Sequence, residues 1–311
     1  MRPLLIMNPA SGGGRTGKTF DAMRAPIEDA LGKIDLERTA RRGHAIELAR
    51  AAADEGRELV VAVGGDGTFN EVVNGVMQSE RRQGTRVGLI AQGTGGDFRR
   101  TLGIDHRLDR YLDALKGSRT RAIDVGRVTY SGTGGKRQQH YFVNILSAGM
   151  GGLVDRFVAQ TPAGVGGKAA YFGASLRALA RCAEGHLRVD YTDEGKTQQR
   201  RIPTYMIAIC NGRYFGSGMH VAPMAKIDDG AFEVVSIGAS SKLSFAFTAR
   251  KIYVGSHLRE RGVDHFRCQK IELELENESA RELFLLDVDG EPMGGLPITV
   301  ELLASALTLQ A

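Results

Sequence analysis

No apolar stretch in this sequence approaches the roughly 18 residues that a membrane span needs, so any membrane contact is expected to be peripheral. The N-terminus, Met1-Arg-Pro-Leu-Leu-Ile-Met-Asn-Pro9, is too short an apolar run for a secretion signal and is broken by Asn8-Pro9. Cysteine is scarce: Cys182, Cys210 and Cys268 lie far apart and form no CxxC pair. That spacing argues against a disulfide framework or a zinc site and fits a reducing cytoplasm. The seven histidines form no HExxH or comparable ligand pair. Aromatic residues make up only 6% of the chain, and no arginine-rich aromatic module is present, so no nucleic-acid partner is expected.

What is present is the composition of a globular chain: 42% hydrophobic and 25% charged, which excludes disorder by composition. Its 311 residues suffice for two cores. The net charge of +5 and a pI of about 9.1 suit anionic partners, membrane surfaces and nucleotides among them, without choosing between them.

Up to residue 126 the chain alternates in a βα rhythm. Strands are expected at Pro3–Met7, Ile34–Thr39, Leu59–Val63 and Val87–Ala91, with helices between them. The continuous apolar runs among these mark strands buried on both faces, hence a parallel sheet covered by helices. From 127 to 301 the pattern is β-rich: eight strand-like segments, two helices near Lys168–Ala183 and Ser241–Val254, and polar hairpin loops at Ser131–Gln139 and Thr192–Gln199. A sandwich is expected there. The fold class is thus an N-terminal parallel α/β domain followed by a β-sandwich-like domain.

Two glycine loops follow buried strands. Leu59–Val63 runs into Gly64-Gly65-Asp66-Gly67-Thr68-Phe69-Asn70-Glu71, and Val87–Ala91 into Gln92-Gly93-Thr94-Gly95-Gly96-Asp97-Phe98. Glycines at a strand end let the backbone approach a ligand, and amides at the following helix start suit phosphate. A carboxylate among them can hold or orient magnesium. Two such loops on neighbouring strands point to a nucleotide cleft. A third segment, Gly12-Gly-Gly-Arg-Thr-Gly17-Lys18-Thr19, matches GxxxxGK[ST]. That reading leaves Asn8-Pro9-Ala10-Ser11-Gly12 unexplained and duplicates the later loops, so we rank it below them.

Together these segments resemble the catalytic domain of the diacylglycerol kinase and sphingosine kinase family, over nearly the whole chain. Asn8–Gly12 resembles its NPxSG and Gly64–Asn70 its GGDGTxN. Gln92–Phe98 is similar to its PxGTxNDF, with Gln92 in place of Pro and Gly96 in place of Asn. Ala122–Val128 resembles its entry to the second domain, Ala222–Phe232 its PxAxxxDG metal loop, and Asp289-Gly290-Glu291 its late DGE. The resemblance implies a lipid kinase fold of the NAD kinase/diacylglycerol kinase type, with Leu302–Ala311 open to a return to the first domain. It implies that ATP is the donor, that Mg2+ is required, and that the acceptor is a lipid hydroxyl at a membrane surface. Glu291 would be the general base, Asp66 would organise magnesium and triphosphate, and Asp124 would add a carboxylate. Asn8, Thr39, Gly64, Gly65, Asp66, Gly67, Thr68, Phe69, Asn70 and Thr94 would contact ATP. A metal in the second domain would be held by Asp229 and the carbonyls of Lys226 and Ala231.

From the residues alone, Asp289-Gly290 is also a good hairpin turn, and Asp124 is out of place in a strand unless it has a function. The apolar faces Tyr171–Leu179 and Phe245, Phe247, Ile252 and Tyr253 read more readily as core than as a lipid groove. Arg41-Arg42, Arg81-Arg82 and Arg99-Arg100 are basic pairs that could meet anionic headgroups. An NAD kinase-like enzyme with a soluble acceptor, a non-catalytic nucleotide- or lipid-binding regulator, and a homodimer all stay open. The expected location is cytoplasmic, with peripheral contact to the inner membrane face also open.

Overall fold

Leu4–Met7 and Leu59–Gly64 are buried at every position in the computed structural model, as strands covered on both faces must be. The structure describes residues 1–93, 95–117, 119–132, 135–161, 167–238 and 241–311. The chain divides into unit 1 (Met1–Val125, Tyr141–Val143 and Leu303–Ala311) and unit 2 (Gly126–His140 and Asn144–Leu302).

Unit 1 is built from β1 (Leu4–Met7), α1 (Arg15–Leu31), β2 (Asp35–Arg38), α2 (His44–Asp54), β3 (Leu59–Gly64), α3 (Asp66–Met77), β4 (Arg86–Ala91), α4 (Asp97–Leu102), α5 (Leu108–Lys116) and the start of β5 (Thr120–Ser131). The strand order is β2-β1-β3-β4, with every pair parallel. The chain steps outward from β1 to β2, then crosses back to β3 and steps outward again to β4. The crevice beyond the carboxyl ends of β1 and β3 is therefore a topological switch point, where open α/β sheets bind ligands. Helix α2 earns its place through small residues: Ala45, Ala49, Ala52 and Ala53 are buried. Across from it, a Cβ on Gly75 of α3 would strike the Ile46 carbonyl.

Unit 2 contains β6 (Arg137–Phe142, whose last residues lie in unit 1), β7 (Ile145–Gly149), α6 (Met150–Ala159), α7 (Gly167–Arg181), β8 (Gly185–Asp193), β9 (Lys196–Thr204), β10 (Met206–Cys210), β11 (Phe232–Ile237), α8 (Lys242–Ile252), β12 (Val263–Cys268), β13 (Lys270–Leu275), β14 (Leu285–Val288) and β15 (Glu291–Gly295). The last strand, β16 (Ile298–Gln310), begins in unit 2 and ends in unit 1, where Thr308 and Leu309 pair in parallel with Arg86 and Val87 of β4. One antiparallel sheet runs β12-β11-β10-β7-β14-β15. In the other, β13 lies between the first part of β16 and β8, with β9 outside β8. The rings of Tyr191 on β8 and Phe266 on β12 lie 4.5 Å apart and join the two sheets.

Several expected elements differ. Thr192–Gln199 is strand rather than loop. The turn is only Glu194-Gly195, both at positive φ, and the strands pair right up to Asp193 and Lys196. Ile202–Cys210 is two strands, parted at Tyr205 where the Thr204 hydroxyl donates to the Met206 carbonyl at 2.7 Å. Helix α6 and strands β12 and β15 were not expected.

Candidate active site

Strand β1 releases the chain at Asn8, which is held from two sides. Its Oδ1 accepts from the amide of Ala10 at 3.0 Å, closing an Asx turn, and its Nδ2 donates to Thr68 Oγ1 at 3.1 Å. The first loop is thereby tied to the one after β3. Gly12 follows at φ 63°, and a Cβ there would lie 2.8 Å from the Gln92 carbonyl of the loop after β4. Only glycine reconciles that backbone with that neighbour.

The loops after β3 and β4 touch through glycine. A Cβ on Gly93 would stand 2.8 Å from the Cα of Gly65, and one on Gly95 would stand 2.9 Å from Asp66 Oδ2. Asp66, the first residue of α3, spans them: its Oδ2 accepts from the amides of Gly96 at 2.8 Å and Asp97 at 3.3 Å. Among the described residues its Oδ1 has no donor. Arg100 braces the second loop, donating to the Gly95 carbonyl at 3.0 Å and to Asp97 Oδ1 at 2.5 Å. Of the basic pair Arg99-Arg100, which could meet headgroups, Arg100 is part of the loop's frame and Arg99 donates to the Ile104 carbonyl at 3.1 Å. Arg41 is likewise spent on Glu47 at 2.7 Å, and Arg81 on the Asp54 carbonyl at 2.8 Å.

Other expected nucleotide contacts fall differently. Thr39 stands at the end of β2, its amide bonded to the Met7 carbonyl at 2.9 Å, on the same sheet edge as the glycine loops. Thr94 lies outside the described residues. Phe69 is buried and stacks on Phe98 with centroids 5.1 Å apart. Asn70 is 1% exposed and its Nδ2 donates to the Tyr141 carbonyl at 3.0 Å, a task shared with Asn74 at 2.8 Å. The side chains of Phe69 and Asn70 thus serve the interior of unit 1. Glu71, in the same motif, accepts from the amides of Gly43 and Ala45 at 2.8 and 3.1 Å and so caps α2. Asp124 is 1% exposed and accepts from the amide of Ser305, a residue at φ 49°. Its place in a strand has a structural reason: it fastens the returning C-terminal segment.

Lys18 and Thr19 do not form a P-loop. Gly12, Gly13 and Gly14 all have positive φ, and α1 already starts at Arg15, ahead of Gly17. Lys18 is exposed, and the Thr19 hydroxyl donates back to the Arg15 carbonyl at 3.0 Å. Gly17 is needed for packing instead, since its Cβ would meet Pro9 at 3.1 Å.

In unit 2, Glu291 is half-buried and begins β15 directly after Asp289-Gly290, whose φ angles of 51° and 86° make a two-residue hairpin turn. Asp289 is only 8% exposed. Its Oδ1 accepts from the amides of Asn144 and Ile145 at 3.1 and 2.9 Å, and Gly290 donates to Asp287 Oδ1 at 2.7 Å. The turn that presents Glu291 is thus anchored to the start of β7. Asp289 was legible only as a turn former; its anchoring role depends on residues about 145 positions earlier.

The proposed metal loop has a different partner. Asp229 Oδ2 accepts from Arg267 Nη2 at 2.8 Å, and Arg267 also lies 3.5 Å from Glu233, whose other oxygen is 2.5 Å from His265 Nε2. Lys226 is exposed and Ala231 buried. Among the described residues no three His, Cys, Asp or Glu side chains converge as a metal cluster. The guanidinium of Arg267 thus balances the charge of Asp229 on its Oδ2 side. The glycine loops of unit 1 do fit a magnesium–nucleotide pair: they are a cradle that Cβ atoms would fill, and among the described residues one carboxylate oxygen of Asp66 has no donor.

Residues 2–128 match the diacylglycerol kinase catalytic domain, and residues 144–311 match the YegS C-terminal NAD kinase beta sandwich-like domain. The chain is 27% identical over 300 residues to a diacylglycerol kinase of Bacillus subtilis (strain 168), covering 95% of this chain and 91% of the relative. It is 26% identical over 296 residues to that of Staphylococcus haemolyticus (strain JCSC1435), covering 94% and 83%. A crystal structure of a diacylglycerol kinase from Bacillus anthracis str. Sterne superposes with a TM-score of 0.71 at 22% identity, covering 99% and 96%. Yeast NADH kinase complexed with NADH superposes at 0.51 with 12% identity, covering 99% and 82%, a likeness of fold alone. Among the described residues no helix is long and apolar enough to cross a membrane. The chain therefore belongs to the diacylglycerol kinase family of lipid kinases.

Proposed function

We propose that this protein transfers the γ-phosphoryl group of ATP to the hydroxyl of a diacylglycerol-like lipid. The observation that carries this reading is Asp66, held by the amides of Gly96 and Asp97 so that two glycine loops and one carboxylate meet at the switch point of the parallel sheet. Phosphoryl transfer asks a protein chiefly for positioning and charge neutralisation. Backbone amides of the Gly64–Thr68 loop and of Gly93 and Gly95 would bind the phosphates, and Asp66 Oδ1 would orient the magnesium that accompanies them. Bound magnesium would neutralise charge on the phosphate oxygens. Asn8 and Thr68 keep the first two loops in register, and Asp124 secures Ser305.

An alcohol is a weak nucleophile, so a carboxylate that accepts its proton as the new bond forms lowers the barrier. Glu291 takes that role in this reading, and Asp289 positions it by fixing the hairpin turn. The acceptor is tested by incubating the purified protein with magnesium and γ-labelled ATP over diacylglycerol, monoacylglycerol, ceramide, sphingoid bases and NAD. Label is expected in an organic-extractable product, strongest with diacylglycerol. Label confined to NADP or another water-soluble product would assign a soluble acceptor instead.

A further inference from the structure

Helix α8 buries one face and exposes another whose composition the fold does not require. Phe245, Thr248 and Ile252 are buried. Phe247, Arg250, Lys251 and Val254 recur at the same helical spacing on the other side and are exposed, Phe247 at 61% and Val254 at 75%. The apolar set that looked like one core face from sequence is thus divided, with Phe247 and Tyr253 in solvent. Helix α7, which packs against α8, repeats the pattern. Ala174 and Ala178 are buried, while Leu176, at 54%, and Arg177 are exposed. Gly167–Arg181 contains three Lys or Arg residues and Lys242–Arg259 contains four, with no Asp or Glu in either stretch. The nearest acid, Glu260, pairs with Lys251 at 2.6 Å, while Arg250 stays exposed.

We propose that this α7–α8 face of unit 2 docks on an anionic lipid bilayer, a proposal that rests on the lipid-acceptor reading above. A helix face that mixes aromatic and aliphatic side chains with arginine and lysine suits the headgroup boundary. There the apolar groups enter the acyl edge and the cations meet anionic headgroups. Charge complementarity selects this occupant: a protein partner or a second copy of this basic chain would have to bring acidic groups to two helices that carry none of their own, whereas an anionic bilayer offers them everywhere.

The test is vesicle co-sedimentation of the full chain. The probes are vesicles with about a third phosphatidylglycerol in phosphatidylcholine and vesicles of phosphatidylcholine alone. The wild type partitions to the anionic vesicles and leaves them at high salt. Arg250→Gln lowers the partition coefficient about fivefold, and Phe247→Ser about tenfold. Lys33→Gln, an exposed cation of unit 1, leaves it unchanged. Both docking variants keep wild-type turnover on a dispersed short-chain diacylglycerol and lose it on vesicles. Equal partition of wild type, Arg250→Gln and Phe247→Ser would overturn the proposal. So would a dimer in solution that Phe247→Ser converts to monomer, since a second copy would then own the face. A wild type that phosphorylates dispersed lipid but ignores vesicles removes the docking surface alone. One that docks through these residues yet phosphorylates no lipid supports the surface and removes the lipid-acceptor reading.

Discussion

Asp66 Oδ2 accepts a hydrogen bond from the amide of Gly96 at 2.8 Å, so a side chain at the end of one strand fixes the backbone of the loop after its neighbour. The resemblance that pointed to this loop carries Asn where this chain has Gly96. Here Gly96 has φ 62°, a conformation that glycine and asparagine both tolerate. Its amide, not its side chain, does the tying, so the replacement leaves the loop's frame intact.

That frame makes a steric prediction. Gly93 has no unusual φ, so its cost on substitution is contact alone: a Cβ would lie 2.8 Å from the Cα of Gly65. Gly93→Ala should push the two loops apart and weaken ATP binding about tenfold or more by calorimetry. Gly13→Ala is the comparison, since nothing lies within 4 Å of its Cβ and only its φ of 69° is strained. It should cost about 1 kcal/mol of stability with nucleotide affinity held within about twofold.

Lys18 is exposed on α1, and its neighbour Thr19 bonds its own helix. Lys18→Ala should therefore keep kcat and the KM for ATP within about twofold. A loss of two orders of magnitude or more would restore the P-loop reading.

Asp289 holds two amides at the start of β7 from an interior position. Asp289→Ala leaves both amides without their acceptor and should destabilise unit 2 by about 2 kcal/mol, read in thermal or urea unfolding. Because the same turn presents Glu291, kcat should fall while the KM for ATP stays near wild type. Asp289→Asn, which keeps one acceptor oxygen, should recover part of both.

His257 is 0% exposed, its Nε2 lies 2.9 Å from the Val221 carbonyl, and burial holds its pKa below the usual histidine range. The unfolded chain then binds a proton that the folded chain refuses. The sign follows: this contribution to stability is fully present above the ordinary histidine range and is lost as pH falls through it toward the folded value. The thermal midpoint should drop between about pH 7.5 and 5.5, and His257→Gln should flatten that part of the profile. His220, lowered by burial and by Arg213, adds to the slope with the same sign.

The apolar runs and glycine punctuation made unit 1 readable, because strands such as Leu59–Gly64 are buried at every residue and leave a continuous signal. What escaped the sequence is mostly the work of distant partners. Helix α6 carries Gly151 and Gly152, which weaken its helical signal, yet their Cβ atoms would strike Ser147 and the Leu285 carbonyl. Close packing demanded the residues that hid the helix. Strand β15 reads Glu-Pro-Met-Gly-Gly and is tolerated because it is the sheet's edge. The bonds of Asn70 and Asp124 to Tyr141 and Ser305 could not be read from sequence, because the partners lie 71 and 181 residues away. The Asp229 loop kept its turn, with Gly230 at φ 74°, while its charge went to Arg267.

The most direct test of the central claim is single-turnover transfer of γ-labelled phosphate from ATP to diacylglycerol, run on wild type and Glu291→Gln with ATP affinity measured on the same samples. The account predicts labelled lipid from the wild type, a loss of about 10²–10⁴-fold in the variant, and ATP affinity equal in both. Label transferred at the wild-type rate by Glu291→Gln would contradict the assignment of the base. No lipid label from a wild type that binds ATP would contradict the transfer itself.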